Sequence, residues 1–141
     1  MAPRPSKPLE TILLVDDDPE VLALAVDILE LACYTVLSTT DPRHALRLAR
    51  THGEPIHLLL TDVVMPLMNG LQLAAEVQAL RPKIKILLMS AYRTREMDDY
   101  RVQLGVRGLF LDKPFTVAAL MGAVRYLLDD RAPMLWRRRV Q

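Results

Sequence analysis

The stretch LLLTDVVMPLMNG, residues 58–70, combines the pattern of a strand, an acidic residue and a turn. It opens on an apolar run with the length of a buried strand, and a carboxylate, Asp62, follows that run. Pro66, Asn69 and Gly70 then signal a turn that leads into a helix. In open parallel sheets, ligands bind where loops leave the carboxyl ends of the strands. We therefore predict that Asp62 lies at a functional edge of such a sheet.

Similar apolar runs recur along the chain and alternate with helical patterns. Asp18-Pro19 and Asp41-Pro42 mark two helix starts, because aspartate caps a helix and proline suits its first position. This alternation with short loops predicts an α/β fold, a doubly wound five-stranded parallel sheet with helices on both faces. The predicted strands are residues 11–15, 34–39, 56–61, 84–89 and 107–111, and the predicted helices are residues 19–32, 42–53, 71–80, 93–104 and 117–128.

The composition is that of one globular domain. The chain has 141 residues, of which 51% are hydrophobic and 25% are charged. We predict a disordered lead-in at residues 1–8, a domain at 9–128 and a charged tail or linker at 129–141. A net charge of +1 does not favour direct nucleic-acid binding, and no apolar run is long enough to cross a membrane. Because Cys33 is the only cysteine, we expect a cytoplasmic location.

Chemically useful side chains follow four of the five predicted strands. Asp16 and Asp17 follow the first strand, Asp62 the third, Ser90 the fourth and Lys113 the fifth. Because the strands are parallel, these side chains should meet at one edge of the sheet. Clustered carboxylates need a compensating cation, and their oxygen atoms suit Mg²⁺, with Mn²⁺ as a substitute. Metal, ammonium and hydroxyl groups together would hold a phosphoryl group, and a carboxylate would be its nucleophile.

Four motifs, in this order along the chain, resemble one family. ILLVDDDP, LLLTDVVMPLMNG, ILLMSAY and FLDKPF are similar to the motifs of the receiver domain of two-component response regulators, and the resemblance covers residues 9–128. It implies the flavodoxin-like (βα)5 receiver fold and a single domain like the chemotaxis regulators. It also implies a phosphorelay module rather than an enzyme, because its only chemistry would be phosphorylation and dephosphorylation of its own aspartate.

The resemblance assigns roles to the acidic residues. Asp62 would accept a phosphoryl group from the phosphohistidine of a sensor histidine kinase or of a phosphotransfer protein. Asp16 and Asp17 would hold Mg²⁺ together with Asp62 and the backbone carbonyl of Val64.

The resemblance also implies a switch. Ser90 and Lys113 would bind the phosphoryl oxygens, and the Lys113–Pro114 peptide bond would be cis. Phe110 would be the switch aromatic, turning inward as Ser90 moves toward the phosphate. The surface of the fourth helix, fifth strand and fifth helix would report this change to a downstream protein, or would form a homodimer.

Three residues depart from the family pattern. Phe110 replaces the commoner tyrosine, so the switch keeps its packing and lacks a hydroxyl group. Cys33 stands where a helix-ending glycine is usual, and we expect that turn to be reshaped, because a left-handed side chain costs about 1–2 kcal/mol. Tyr92 is bulky, and we expect it to shield the acyl phosphate and to slow autodephosphorylation.

Two alternatives stay open at this point. The chain could be a receiver fragment of a larger hybrid kinase or transcriptional regulator. It could also be a haloacid-dehalogenase-type phosphatase, in which Asp16 and Asp18 would form the catalytic pair. Against the phosphatase, Pro19-Glu20 does not match the residues expected after that pair, and Asp62 is left without a role. The receiver and the phosphatase differ in which aspartate is phosphorylated.

Overall fold

The computed structural model of the chain describes residues 9–129, and the predicted lead-in and the tail beyond Asp129 lie outside them. None of the helices in this range is long and apolar enough to cross a bilayer. The strands are β1 (Thr11–Val15), β2 (Thr35–Thr39), β3 (Leu58–Asp62), β4 (Lys85–Ser90) and β5 (Gly108–Asp112). The helices are α1 (Pro19–Leu31), α2 (Pro42–Thr51), α3 (Gly70–Leu80), α4 (Arg95–Leu104) and α5 (Val117–Asp129).

Polar side chains cap the helices that follow β1 to β4. The side chains of Asp18 and Asp41 accept hydrogen bonds of 2.9 and 2.8 Å from backbone amides, and a proline follows each of them. Asn69 caps α3 and Thr94 caps α4 with hydrogen bonds of 2.9 and 3.1 Å. Such caps satisfy amide groups that the first helical turn leaves unpaired. The helices can therefore begin close to the strand ends.

The five strands are all parallel and lie in the order β2-β1-β3-β4-β5, which confirms the predicted doubly wound sheet. The order reverses direction between β1 and β3, and the ligand crevice of such folds lies beyond the strand ends at that point. Val15 of β1 pairs with Thr61 of β3. Asp16 and Asp62 therefore leave neighbouring strands at the same level.

Alternate side chains of the strands form one apolar core on each face of the sheet. Helices α1 and α5 cover one core, and α2, α3 and α4 cover the other. Helix α4 has no buried residue, and only Met97, Tyr100 and Leu104 pack against the core. This confirms the thin apolar stripe predicted for the helix. Because buried apolar area is the main source of stability, α4 is the most weakly attached helix of the fold.

The observed boundaries differ from the predicted ones by only a few residues. Strands β3 and β4 run one residue further than predicted and end on Asp62 and Ser90 themselves. Helix α5 continues to Asp129, one residue beyond its predicted end, and the Asp129 carboxylate accepts a hydrogen bond of 2.9 Å from Arg125. Two of the predicted site residues therefore belong to strands rather than to the loops beyond them, which limits the movement of their main chain.

Cys33 keeps a left-handed backbone conformation, with φ of 70°. The expected reshaping of this turn is therefore wrong. The N–H of Cys33 donates to the Glu30 carbonyl at 2.9 Å, and the N–H of Tyr34 donates to the Leu29 carbonyl at 3.1 Å. These bonds satisfy carbonyl groups at the end of α1 and hold the turn in place of a glycine. The Cys33 side chain is exposed, so neighbouring side chains add little to the local strain between its β-carbon and the backbone.

Candidate functional site

Three carboxylates meet at the carboxyl edge of β1 and β3. Asp16 follows β1 directly, Asp17 comes next, and Asp62 is the last residue of β3. One carboxylate oxygen from each lies within 4.8 Å of the others. Asp16 is fully buried and Asp62 is 7% exposed, whereas Asp17 faces solvent. The structure thus brings together the acids that the sequence placed at strand ends.

Lys113 places a positive charge between two of these acids. Its Nζ donates to Asp16 Oδ2 at 2.8 Å and lies 3.4 Å from Asp62 Oδ2. Burial alone would lower the pKa of Lys113, but the hydrogen bond to Asp16 and the charge of Asp62 outweigh burial and raise that pKa. The ammonium group therefore stays charged. The peptide bond between Lys113 and Pro114 is cis.

Burial raises the pKa of Asp62 to about 6. The charge of Lys113 opposes this rise, whereas the charge of Asp16 and a hydrogen bond with Asp17 add to it. Near neutral pH the cluster holds three carboxyl groups against the single ammonium group of Lys113. This excess of negative charge is the condition under which a hard divalent cation binds oxygen ligands.

The main chain of Asp62 is held by close packing. A β-carbon on Gly70 would collide with the backbone carbonyl of Asp62. The N–H of Gly70 donates to the Val63 carbonyl at 2.7 Å, and the Thr61 hydroxyl donates to the Asp62 carbonyl at 2.9 Å. The sequence pattern identified Gly70 only as a turn residue and missed this contact, because the contact depends on how α3 packs against the end of β3.

The hydroxyl group of Ser90 points toward α4. Ser90 is 2% exposed, and its Oγ lies 3.7 Å from Met97 Sδ, a weak hydrogen-bond acceptor. The same Oγ accepts the backbone N–H of Tyr92 at 3.2 Å. Neither of these two hydrogen bonds joins Ser90 to the carboxylate groups of the acidic cluster. Ser90 is thus placed at the site edge with its hydroxyl group engaged elsewhere.

The aromatic ring of Phe110 lies under a cation. The guanidinium carbon of Arg93 is 4.3 Å from the centre of the ring, and Arg93 Nη2 lies 3.1 Å from Asp98 Oδ1. The Phe110 ring is half-buried and packs against the core under α4. The sequence did not single out Arg93 or Asp98, since a charged pair in a loop and the following helix is usually a solvated surface feature.

Two further predicted residues lie at the rim of the site. Val64, in the loop after β3, has a side chain that is 67% exposed. Tyr92 is 82% exposed, so most of its side chain faces solvent. The shielding of the acyl phosphate by Tyr92 stays a prediction.

Comparison with protein-family models shows the family to which the chain belongs. The model described as the response regulator receiver domain matches residues 12–125. This chain belongs to that family. Receiver domains are signalling modules rather than conventional enzymes, and they interact with histidine kinases or phosphotransfer proteins.

Individual relatives agree with this membership. The response regulator receiver protein CpdR of Brucella abortus (strain 2308) is 31% identical to this chain over 121 residues. These residues cover 85% of this chain and 98% of CpdR. The transcriptional regulatory protein GlrR of Escherichia coli (strain K12) is 33% identical over 122 residues, which cover 86% of this chain and only 27% of GlrR. The chain thus spans about a quarter of the length of this larger relative.

Solved structures agree with the fold. The CheY-like response regulator receiver domain protein from Methanospirillum hungatei JF-1 superimposes with a TM-score of 0.80 at 28% identity. The match covers 87% of this chain and 96% of that protein. The receiver fold predicted from the four sequence motifs is therefore confirmed.

Proposed function

We propose that this receiver domain accepts a phosphoryl group on Asp62 from a histidine kinase or a phosphotransfer protein. The observation that carries the proposal is the position of Asp62, whose Oδ2 lies 3.4 Å from Lys113 Nζ within a cluster of three acids. Both oxygens of Asp16 are already engaged, one with Lys113 and one with the backbone N–H of Asp18. This arrangement favours Asp62 over Asp16 as the nucleophile and does not favour the phosphatase alternative.

The proposed transfer exchanges one bond to phosphorus for another. A carboxylate oxygen of Asp62 bonds to phosphorus while the bond from phosphorus to the donor's imidazole nitrogen breaks, and that nitrogen keeps the electron pair. The Lys113 ammonium group, already beside Asp62, offsets the negative charge on the phosphoryl oxygens. Dephosphorylation uses water, which attacks phosphorus and releases inorganic phosphate and the Asp62 carboxylate.

The acidic cluster fits a Mg²⁺ or Mn²⁺ ion. Asp16, Asp17 and Asp62 present oxygen atoms within 4.8 Å of one another, and the pKa of Asp62 is raised to about 6, chiefly by burial. The backbone carbonyl of Val64 is the proposed further ligand. A bound divalent ion would offset the repulsion among the carboxylates and neutralise charge on the phosphoryl oxygens.

Phosphorylation is proposed to switch the surface formed by α4, β5 and α5. Ser90 would leave Met97 and approach a phosphoryl oxygen, and Phe110 would turn inward. To move a 1:99 equilibrium to 99:1, the phosphoryl group must favour the new arrangement by about 5.5 kcal/mol. A downstream protein is the proposed partner of this surface, and a homodimer is the alternative use of it. The exposed Val102 on α4 offers an apolar contact there.

The proposed chemistry is the same in a free receiver and in a larger regulator. All the proposed site residues lie between residues 16 and 113, inside the part that matches the family model. The single-receiver relative CpdR and the larger regulator GlrR illustrate the two contexts. In either, we propose output through protein contact rather than direct nucleic-acid binding, in the cytoplasm where a phosphohistidine donor is at hand.

The proposal is tested by intact mass after incubation with Mg²⁺ and acetyl phosphate. We expect one added phosphoryl group that requires Mg²⁺ and is absent from Asp62→Asn. The exchange Asp27→Asn, at an exposed acid on α1, is the matched control and should keep the adduct. An adduct that survives in Asp62→Asn and disappears in Asp16→Asn would overturn the assignment in favour of Asp16.

A further inference from the structure

The two residues proposed to switch are both contacted by residues 93–98, which lead from the loop after β4 into the first turn of α4. Ser90 Oγ contacts Met97 Sδ at 3.7 Å, and the Phe110 ring lies 4.3 Å from the guanidinium carbon of Arg93. Arg93 is itself fixed by Asp98, with Nε and Nη2 lying 3.3 and 3.1 Å from Asp98 Oδ1. Arg93, Met97 and Asp98 thus belong to one short segment that touches both switch residues.

The start of α4 is attached less firmly than its end. No residue of α4 is buried, and the hydrogen bond from the Met97 N–H to the Thr94 side chain caps its first turn. At the other end, the Gln78 side chain on α3 donates to the Gly105 carbonyl at 2.8 Å and accepts the Arg107 N–H at 3.1 Å. Because this amide group clamps the turn after α4, a movement of the helix is freer at its N-terminal end.

A move of Ser90 toward a phosphoryl oxygen must break its contact with Met97. An inward turn of Phe110 must withdraw the ring from the face of Arg93. Since the proposed switch would break both contacts, each would stabilise the arrangement seen here relative to the switched one. A cation over an aromatic ring and a hydrogen bond to sulfur are individually weak, and so a phosphoryl group can overcome them.

We propose that Arg93, Met97 and Asp98 form a latch that holds Ser90 and Phe110 in the unphosphorylated arrangement and so lowers the affinity of the site for a phosphoryl group. The proposal rests on the proposed function, since it assigns Ser90 and Phe110 to the switch. The latch residues do not touch the reacting atoms. They are positioning residues, and they act through the equilibrium between the two arrangements.

The latch is tested with beryllofluoride, a phosphoryl analogue that binds carboxylates, in the presence of Mg²⁺. We expect Arg93→Gln to bind beryllofluoride about two- to fivefold more tightly than the wild type, as the loss of one exposed cation–π contact allows. Met97→Leu keeps the side-chain volume and removes the sulfur acceptor, and we expect a gain of about twofold. The affinity for Mg²⁺ alone should not change, because none of these residues contacts Asp16, Asp17 or Asp62.

Arg95→Gln is the matched control for charge. Arg95 is the first residue of α4, is exposed, and makes no hydrogen bond or ion pair within residues 9–129. Removing its cation should leave anion binding unchanged or weaken it slightly. A general loss of positive charge lowers the affinity for an anion, whereas the release of the latch raises the affinity. Tighter binding in Arg93→Gln with no gain in Arg95→Gln is therefore the specific result, and unchanged or weaker binding in Arg93→Gln overturns the latch.

A second readout follows the Phe110 ring itself rather than the affinity for a phosphoryl analogue. The chain has two phenylalanines, Phe110 and Phe115, so ring-labelled phenylalanine gives a simple NMR spectrum. Without any ligand, Arg93→Gln should shift the Phe110 resonances toward their positions in the beryllofluoride complex and leave those of Phe115 in place. Unmoved Phe110 resonances would refute the latch. If the wild type binds neither beryllofluoride nor a phosphoryl group, the proposed function fails. In that case a shift of the Phe110 resonances away from their wild-type positions in Arg93→Gln, with the Phe115 resonances unmoved, still shows that Arg93 holds the ring.

Discussion

Gly70 packs so closely against the backbone carbonyl of Asp62 that no side chain fits between them. The contact joins the first residue of α3 to the last residue of β3, and the hydrogen bond from Gly70 N–H to the Val63 carbonyl, 2.7 Å long, tightens the same loop. The position of the proposed phosphoacceptor is thus set by a residue that carries no functional group. Substitutions at Gly70 should act on Asp62 through the backbone.

Gly70→Ala should lower the free energy of unfolding by about 1–3 kcal/mol, because overpacking forces backbone shifts. It should also reduce phosphorylation by acetyl phosphate, since any shift moves the Asp62 carboxylate relative to Lys113. Gly122→Ala is the control: a β-carbon there meets nothing within 4 Å on α5, and alanine should stabilise that helix by about 0.5–1 kcal/mol. Urea unfolding measures the free energy of unfolding, and intact mass measures phosphorylation. A Gly70→Ala variant as stable and as readily phosphorylated as Gly122→Ala would contradict the packing argument.

Asp62→Asn should stabilise the metal-free protein at neutral pH. The folded carboxyl group has a pKa of about 6 against an ordinary value of 3.8, so the folded state binds this proton more tightly than the unfolded chain. Stability is therefore lost as the pH rises from about 4 to about 6, by at most about 3 kcal/mol and by less where solvent screens the site. Asparagine removes that loss. The advantage of the variant should be largest at pH of about 7.5 and about half as large at pH of about 5.

Urea unfolding in EDTA at these two pH values measures the difference between Asp62→Asn and the wild type. Saturating Mg²⁺ should narrow the gap at neutral pH, because the ion binds the wild-type carboxylates and stabilises the folded state by mass action. An advantage of the asparagine variant that grows toward acidic pH would contradict the raised pKa of Asp62.

Lys113→Met should destabilise the metal-free protein by about 2–4 kcal/mol, because it leaves the acids without their counter-charge. The lysine side chain is only 18% exposed and Asp16 is fully buried, so water does not replace the pair easily. Mg²⁺ should recover part of the lost stability, whereas phosphorylation should stay strongly reduced. Lys83→Met, at an exposed lysine, should change neither quantity. Thermal unfolding with and without Mg²⁺ measures the part of Lys113's stabilising charge that the ion can replace. Intact mass after treatment with acetyl phosphate measures the phosphorylation that the ion does not recover.

Arg81→Met should cost about 2–3 kcal/mol of stability without touching the site. The Arg81 guanidinium group donates to the carbonyls of Ala49, His52 and Glu54, and the bond to Ala49 is 2.7 Å long. These bonds satisfy the end of α2 and the loop after it. Arg47→Met, at an exposed arginine of α2, should lie within about 0.5 kcal/mol of the wild type. Urea unfolding compares the variants, and normal phosphorylation of folded Arg81→Met would confirm that the effect is confined to stability.

The sequence predicted which residues meet at the site, because parallel strands bring their carboxyl ends to one edge of the sheet. Asp16, Asp62 and Lys113 are far apart in the chain, yet each ends a strand or follows one directly. Apolar runs followed by acids or lysine were therefore enough to predict that these groups meet. The same local patterns predicted the caps at Asp18 and Asp41, because a cap involves only residues close in sequence.

Contacts between side chains of different segments were not predictable in this way. The orientation of the Ser90 hydroxyl toward Met97 is a choice of rotamer, and the stacking of Arg93 on Phe110 joins a loop to a strand. At Cys33 the prediction was wrong because it relied on a local preference alone. Its local preference argues against a left-handed backbone, but the hydrogen bonds at the end of α1 outweigh that preference.

The bond between Asp16 and Lys113 joins residues that are 97 positions apart. During synthesis on a ribosome, β1 and β3 emerge long before β5, the edge strand that delivers the lysine. A nascent chain that ends before β5 has the acids and lacks their counter-charge. The site is thus completed late, when β5 pairs with β4 at the edge of the sheet. We expect a truncated chain of this kind to accept phosphoryl groups poorly from a donor. Under the proposed function, a chain that accepts a phosphoryl group has therefore already formed β5 at the edge of its sheet.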